Sequence, residues 1–192
     1  MTYSFAAYDK VIDEIIFPSF VCSCIPQIDI MSVLEEVYEI QKTHESKKVS
    51  NEGGYHSPIF YENEFSDLRE IVEAFVNDIL EGKELGASVD EMQYWCNINK
   101  GNNYNVMHTH GRADLIGIYY AKVPPESGEL VVVRNDGSTW GDLYENRQDM
   151  IEWAIKPETG RLYILPGHVW HYVTNGKNTR EDRVSISFNL YT

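Results

Sequence analysis

At Gly86 the hydrophobic period of this 192-residue chain changes from helical to extended, and few folds accommodate such a switch. Upstream, Ile30, Val33, Leu34, Val37 and Tyr38 recur at three- and four-residue spacing and predict a helix over 28–43. Leu68, Ile71, Val72, Phe75, Val76 and Ile79 predict a second over 65–80, with Ser66 or Asn63 as its cap and Gly82 as its close. Between them Ser50-Asn-Glu-Gly-Gly-Tyr-His-Ser57 reads as a glycine-rich turn leading into an extended piece. Downstream, short runs divided by Gly, Asn and Pro predict strands over 92–99, 113–123, 129–134, 161–165, 169–174 and 183–191. An insertion over 135–153, rich in Asn, Asp, Gly and Trp, interrupts the series. Two amphipathic helices followed by many short strands predict an α+β chain whose helices cover the outside of a barrel or sandwich. One domain is expected over 1–192, with 1–90 as helical support carrying N-terminal strands and 91–192 as the β core.

Charge removes one class of partner. Thirty acidic residues against sixteen basic ones leave a formal charge of −14, which repels phosphate backbones and argues against nucleic acid. No apolar run approaches the ~18 residues of a membrane span, so no membrane partner is expected. Residues 1–20 carry acids inside their apolar run and lack a basic start, unlike a secretory leader. Cys22, Cys24 and Cys96 are too few for a disulfide framework, and reduced thiols in a cytoplasm are expected.

Four of the six histidines fall in two clusters, His108-Thr-His110 and His168-Val-Trp-His171. Alternate residues of a strand share a face, so His108 and His110 can point at one atom, and a distant strand can add a third ligand. Imidazole suits Zn, Cu, Fe and Ni, although a bare His-x-His is also the pattern of surface or hydrogen-bonded histidines. His171 shares no face with His168, which reads as structural. In 183–190 the polar residues Arg183, Ser185, Ser187 and Asn189 alternate with Val184, Ile186, Phe188 and Leu190. Such a strand either turns its polar face to water or, with helices over its apolar face, turns it into a cavity. An inward Arg is costly unless it meets an anion, which makes Arg183 a candidate carboxylate clamp.

In order and spacing, His108-Thr-His110, Ile118-Tyr-Tyr120, Leu165-Pro-Gly-His-Val-Trp-His171 and Arg183-Val-Ser-Ile-Ser-Phe-Asn189 resemble the iron(II)/2-oxoglutarate dioxygenases. With the glycine-rich 50–57 segment they look like a small prolyl-hydroxylase-like branch found in bacteria and phages. The resemblance spans residues 50–192 and implies a double-stranded β-helix (jelly-roll, cupin-like). It also implies iron(II), 2-oxoglutarate and O2 as cofactors, with ascorbate as reductant in vitro. Hydroxylation of a peptide or small molecule, with conversion of 2-oxoglutarate to succinate, would follow, in a cytoplasm that is the host's if a phage carries the gene.

In that superfamily a His-x-Asp or His-x-Glu pair and a distal His hold the metal. His108 matches the first ligand and His171 the distal one, while the carboxylate position falls on His110. The resemblance therefore implies either three histidines or substitution by Asp114. Arg183 matches the residue that pairs with the distal carboxylate of 2-oxoglutarate, Ser185 completes an Arg-x-Ser arrangement, and Tyr120 either resembles a tyrosine bonding the same carboxylate or is an ordinary strand aromatic. Trp95, Asn97 and Asn105 are expected in the pocket lining, the core or a loop, and His44 and His56 fit no set. The insertion, with Trp140, Tyr144 and Trp153, reads as a lid or a packed surface excursion. Two rival readings stand beside this one: a cupin-like three-histidine oxygenase without 2-oxoglutarate, and a non-catalytic jelly-roll whose histidines are incidental or hold structural zinc.

Overall fold

The computed structural model describes residues 19–134 and 152–192; most of the expected lid, including Trp140 and Tyr144, lies outside the described residues. In chain order the elements are β1 (Cys22–Cys24), α1 (Ile30–Thr43), β2 (Asn51–Glu52), β3 (Tyr55–His56) and α2 (Ser66–Gly82). Then follow β4 (Glu91–Asn99), β5 (Tyr104–His108), β6 (Leu115–Lys122) and β7 (Leu130–Val133). The last four are β8 (Glu152–Ile155), β9 (Leu162–Pro166), β10 (Trp170–Val173) and β11 (Arg183–Tyr191). They form two antiparallel sheets, one in the order β1-β9-β6-β11-β4-β3 and one in the order β2-β5-β10-β7-β8. This is the expected α+β double-stranded β-helix.

The helices explain which way the larger sheet faces. Val33 and Val37 of α1 and Leu68, Val72 and Val76 of α2 pack in one cluster with Val184, Ile186, Phe188 and Leu190 of β11. Burial of each such side chain contributes roughly 1.5–3 kcal/mol, so the apolar set of β11 is pinned under the helices. Its alternate residues Arg183, Ser185, Ser187 and Asn189 must then face the other sheet. Directly opposite them stand Asn99, Asn97, Trp95 and Gln93 of β4, and Ser185 is also opposite Tyr120 of β6.

The helix ends partly depart from expectation. Asp29 caps α1, its Oδ1 accepting from Met31 N at 2.9 Å. For α2, however, neither Ser66 nor Asn63 is the cap. Phe65 holds that position with φ 52°, and its N–H donates to Glu36 Oε1 of α1 at 2.6 Å. A partner 29 residues away replaces the local side chain, which no local pattern could announce. Gly82 is the last residue of α2, and Lys83 N donates to Ile79 O at 3.0 Å.

Strands β5 and β8 were not anticipated. Tyr104, Val106, Met107 and Trp153 are all exposed, because among the described residues the helices cover only the larger sheet. In β5 the half-buried residues are Asn105 and His108 and the exposed ones Tyr104, Val106 and Met107, and in β8 Glu152 is half-buried beside exposed Trp153, so neither strand shows the apolar-in, polar-out alternation of a half-buried strand. The glycine-rich segment becomes the bridge between sheets: β2 pairs with β5, β3 with β4, and Gly53-Gly54, both at φ 69°, turn between them. A Cβ on Gly54 would stand 2.2 Å from Asn99 Oδ1 and 2.9 Å from Ile98 O. We expect Gly54→Ala to lower stability by about 2 kcal/mol or more, from left-handed strain plus that collision. Gly82→Ala, with nothing within 4 Å of the new methyl, should instead gain roughly 0.5–1 kcal/mol, both read from urea unfolding.

Candidate metal centre

His108 ends β5 and stands directly opposite His171 of β10, with ring centroids 4.4 Å apart. His110 reaches the same point by a different route. The chain has left β5 there, His110 N donates to Gly167 O at 3.0 Å, and its carbonyl accepts from Ala113 N at 3.1 Å. The expectation that strand alternation orients His110 is thus corrected: a turn braced on the Pro166-Gly167 corner does so. Its ring lies 5.1 Å from that of His108 and 5.0 Å from that of His171. One nitrogen from each of the three lies within 4.8 Å of the others.

Each ring is held by an oxygen at its Nδ1. The partners are Val106 O at 2.7 Å, Val169 O at 2.9 Å and Asn189 Oδ1 at 2.5 Å for His108, His171 and His110. These oxygens cannot donate, so Nδ1 carries the proton and the Nε2 lone pairs remain unclaimed. Burial lowers the pKa of all three, to about 4 for His110 and about 3 for His171, with neighbouring imidazoles adding to the shift in those two. At neutral pH the cluster is therefore uncharged, as metal-ligating imidazole must be. The donor set fits one divalent transition-metal ion.

Asp114 is elsewhere. Its Oδ2 accepts from Thr192 N at 2.9 Å, which ties down the end of β11, and it lies outside the cluster. His168 is exposed, and His44 caps the C-terminus of α1.

Arg183 is 5% exposed and has no carboxylate partner among the described residues. Its Nη1 donates to Gly128 O at 3.0 Å, while its Nε has no partner. Burial pulls its pKa down and pushes that of Tyr120, 2% exposed, up to about 12; the interaction between the two works against both shifts. Ser185, buried, lies opposite Tyr120. A buried guanidinium with donors to spare fits a carboxylate ligand. An opening of about 10 Å³, room for about one water, lies against Arg183.

Two residues without an expected role join the centre. Asn189 orients His110, and its Nδ2 donates to Gln93 Oε1 at 3.4 Å. Its place in the alternating polar set of β11 was the available signal. His56, 4% exposed, stacks on Trp95 at 5.6 Å and 12°, and Trp95 stacks on His110 at 5.7 Å and 22°. Only the β3–β4 pairing, His56 opposite Asn97, brings this histidine in. Of the other pocket candidates, Asn97 donates to Ser187 Oγ at 3.2 Å and Asn105 to Ser50 Oγ at 3.1 Å. A cavity of about 190 Å³ opens beside the histidines, lined by Val49, Ser50, His56, Ile59, Trp95, His108, Thr109, His110 and Asn189.

Residues 93–189 match the family model described as "Putative 2OG-Fe(II) oxygenase". A search of curated protein sequences returns no match. Among solved structures, a Pseudomonas putida prolyl-4-hydroxylase is similar with TM-score 0.57 at 14% identity, over 88% of this chain and 91% of that one. A Trichoplax adhaerens prolyl hydroxylase, in complex with a peptide of the hypoxia inducible factor oxygen degradation domain, gives 0.60 at 12%, over 89% and 83%. The collagen prolyl hydroxylase of Paramecium Bursaria Chlorella virus-1, as a 2OG complex, gives 0.57 at 13%, over 88% and 94%. At these identities the likeness is one of fold.

A pH dependence follows from the buried imidazoles. Their folded-state pKa values lie below the ~6.5 of an unfolded chain, so on acidification the unfolded state binds protons first. The metal-free protein should keep this contribution above about pH 6.5 and lose it progressively as pH falls toward the folded values. Thermal melts between pH 7.5 and 5 should show a falling Tm, and His171→Gln should flatten the slope.

Proposed function

The chain belongs to the 2OG-Fe(II) oxygenase family, and from that premise we propose that it hydroxylates a peptide or small molecule at the three-histidine centre. The observation that carries the reading is Arg183, a buried guanidinium on the inward face of β11 without an acidic partner among the described residues. It supports a bound carboxylate, which a three-histidine oxygenase without 2-oxoglutarate would not supply. A closed structural zinc site would need a fourth ligand, and none joins the cluster among the described residues.

In this reading His108, His110 and His171 hold iron(II) through Nε2, and their Nδ1 partners fix each ring plane. With 2-oxoglutarate, the metal supplies dioxygen activation: one oxygen atom enters a substrate C–H bond as hydroxyl, the other enters succinate, and carbon dioxide leaves. Arg183 grips the distal carboxylate of 2-oxoglutarate through paired N–H donors, and the Tyr120 hydroxyl and Ser185 add hydrogen bonds from the same wall. Burial of all three excludes water, which strengthens each contact. Three neutral imidazoles place no negative charge on the metal, so the dianionic 2-oxo acid meets its full positive charge. The free thiols of Cys22, Cys24 and Cys96 support a reducing, cytoplasmic compartment.

With iron(II), ascorbate and oxygen, the protein should convert 2-oxoglutarate slowly to succinate without its primary substrate. Absence of both succinate and metal-dependent 2-oxoglutarate binding in anaerobic calorimetry would end this reading. Arg183→Ala should weaken 2-oxoglutarate at least tenfold, since a hydrogen bond to a charged group contributes ~1.5–3 kcal/mol, while iron affinity barely changes. For the ligand set, His110→Ala should abolish the metal-to-2-oxoglutarate charge-transfer band and Asp114→Ala should retain it. The reverse result would transfer the ligand role to Asp114.

A further inference from the structure

The cavity beside the histidines is defined by what its lining lacks. Among the described residues, none that lines it is Asp, Glu, Lys or Arg. Its few polar groups are largely engaged: Asn189 Oδ1 holds His110, and Ser50 Oγ accepts from Asn105. In the metal-free protein a charged group entering here would surrender its water and find no countercharge among the described side chains.

Size and shape narrow the occupant further. A cavity of about 150 Å³ lined by apolar side chains holds benzene, and this one measures about 190 Å³. Trp95 cannot offer a face for stacking, because His56 covers one side and His110 the other. It therefore stands as a rigid wall that shows its edge, with the three histidines at one end. At the mouth, Val49 and Ile59 are 68% and 46% exposed, an apolar rim across which a larger molecule can extend into solvent.

We propose that this cavity is the subsite for the reacting group of the substrate, and that it takes an uncharged, apolar group of about benzene size carried on a larger molecule. The assignment rests on the oxygenase reading above. It disfavours substrates that place an ammonium, or a carboxylate or phosphate beyond reach of the metal, next to the carbon that reacts.

The test uses benzyl alcohol as probe, with benzoate and benzylammonium as charged counterparts on the same ring. In amide and indole N–H spectra of the full chain without metal, benzyl alcohol should shift the Trp95 indole resonance. Both charged probes should bind at least tenfold more weakly. Val49→Trp should fill the mouth and abolish the benzyl alcohol shift, with an unmoved Trp170 indole reporting an intact barrel. Equal or tighter binding of either charged probe would overturn the proposal, as would undiminished benzyl alcohol binding by Val49→Trp. Iron-dependent 2-oxoglutarate binding, measured on the same preparation, separates the two claims. Its absence with neutral selectivity retained removes the oxygenase reading and the substrate role with it. Its presence with a charged probe preferred removes only the subsite.

Discussion

Burial of the apolar face of β11 beneath α1 and α2 decides where the polar groups of this protein go. Val184, Ile186, Phe188 and Leu190 are fully buried against the helices, and a strand has only two faces. Arg183, Ser185, Ser187 and Asn189 are therefore committed to the space between the sheets. A one-residue slip would send the apolar set into the cavity and the arginine under the helices, so the register is strongly specified. Tyr38 adds to this anchoring, donating to Asp182 Oδ2 at 3.2 Å immediately before the strand begins.

The second sheet meets these groups with histidines whose orientation is fixed from behind. Two main-chain carbonyls and one amide oxygen take the Nδ1 protons, so the tautomer is set by the fold. The amide belongs to Asn189, on the same inward row as Arg183, so β11 both orients a proposed metal ligand and carries the proposed anion clamp. A carboxylate ligand would need its own hydrogen-bond donors and would bring negative charge. The neutral imidazole at position 110 instead fits a pocket wall made of Trp95 and His56 rings.

That wall depends on the 50–57 segment, which bridges the sheets at the mouth. Its glycines, both at positive φ, pass close to Asn103 and Asn99, Gly54 also against the main-chain oxygen of Ile98, and beyond them the chain delivers His56 to Trp95. Tyr55 points the other way, with its single hydroxyl proton shared between Ile40 O and His44 O at the end of α1. One short stretch thus couples the helical layer to the pocket.

Much of this was legible in the sequence because it depends on period and type. The two helices, six of the longer strands, the β-helix class and the histidines at 108, 110 and 171 follow from local spacing and from motif resemblance. Other features were not local. The cap of α2 comes from Glu36 on another helix. Strands β5 and β8 lack an alternating signal because polar Asn105, His108 and Glu152 take half-buried positions while Tyr104, Val106, Met107 and Trp153 are exposed. His56 belongs to no motif and gains its place through a cross-strand partner forty-one residues on, Asn97. The sequence by itself determined which side chains share a face, since periodicity is a property of the backbone. Which face became the interior, and which oxygen each imidazole meets, was decided by tertiary structure. Those outcomes depend on where two helices find apolar surface to bury, and that surface exists only once distant strands have paired.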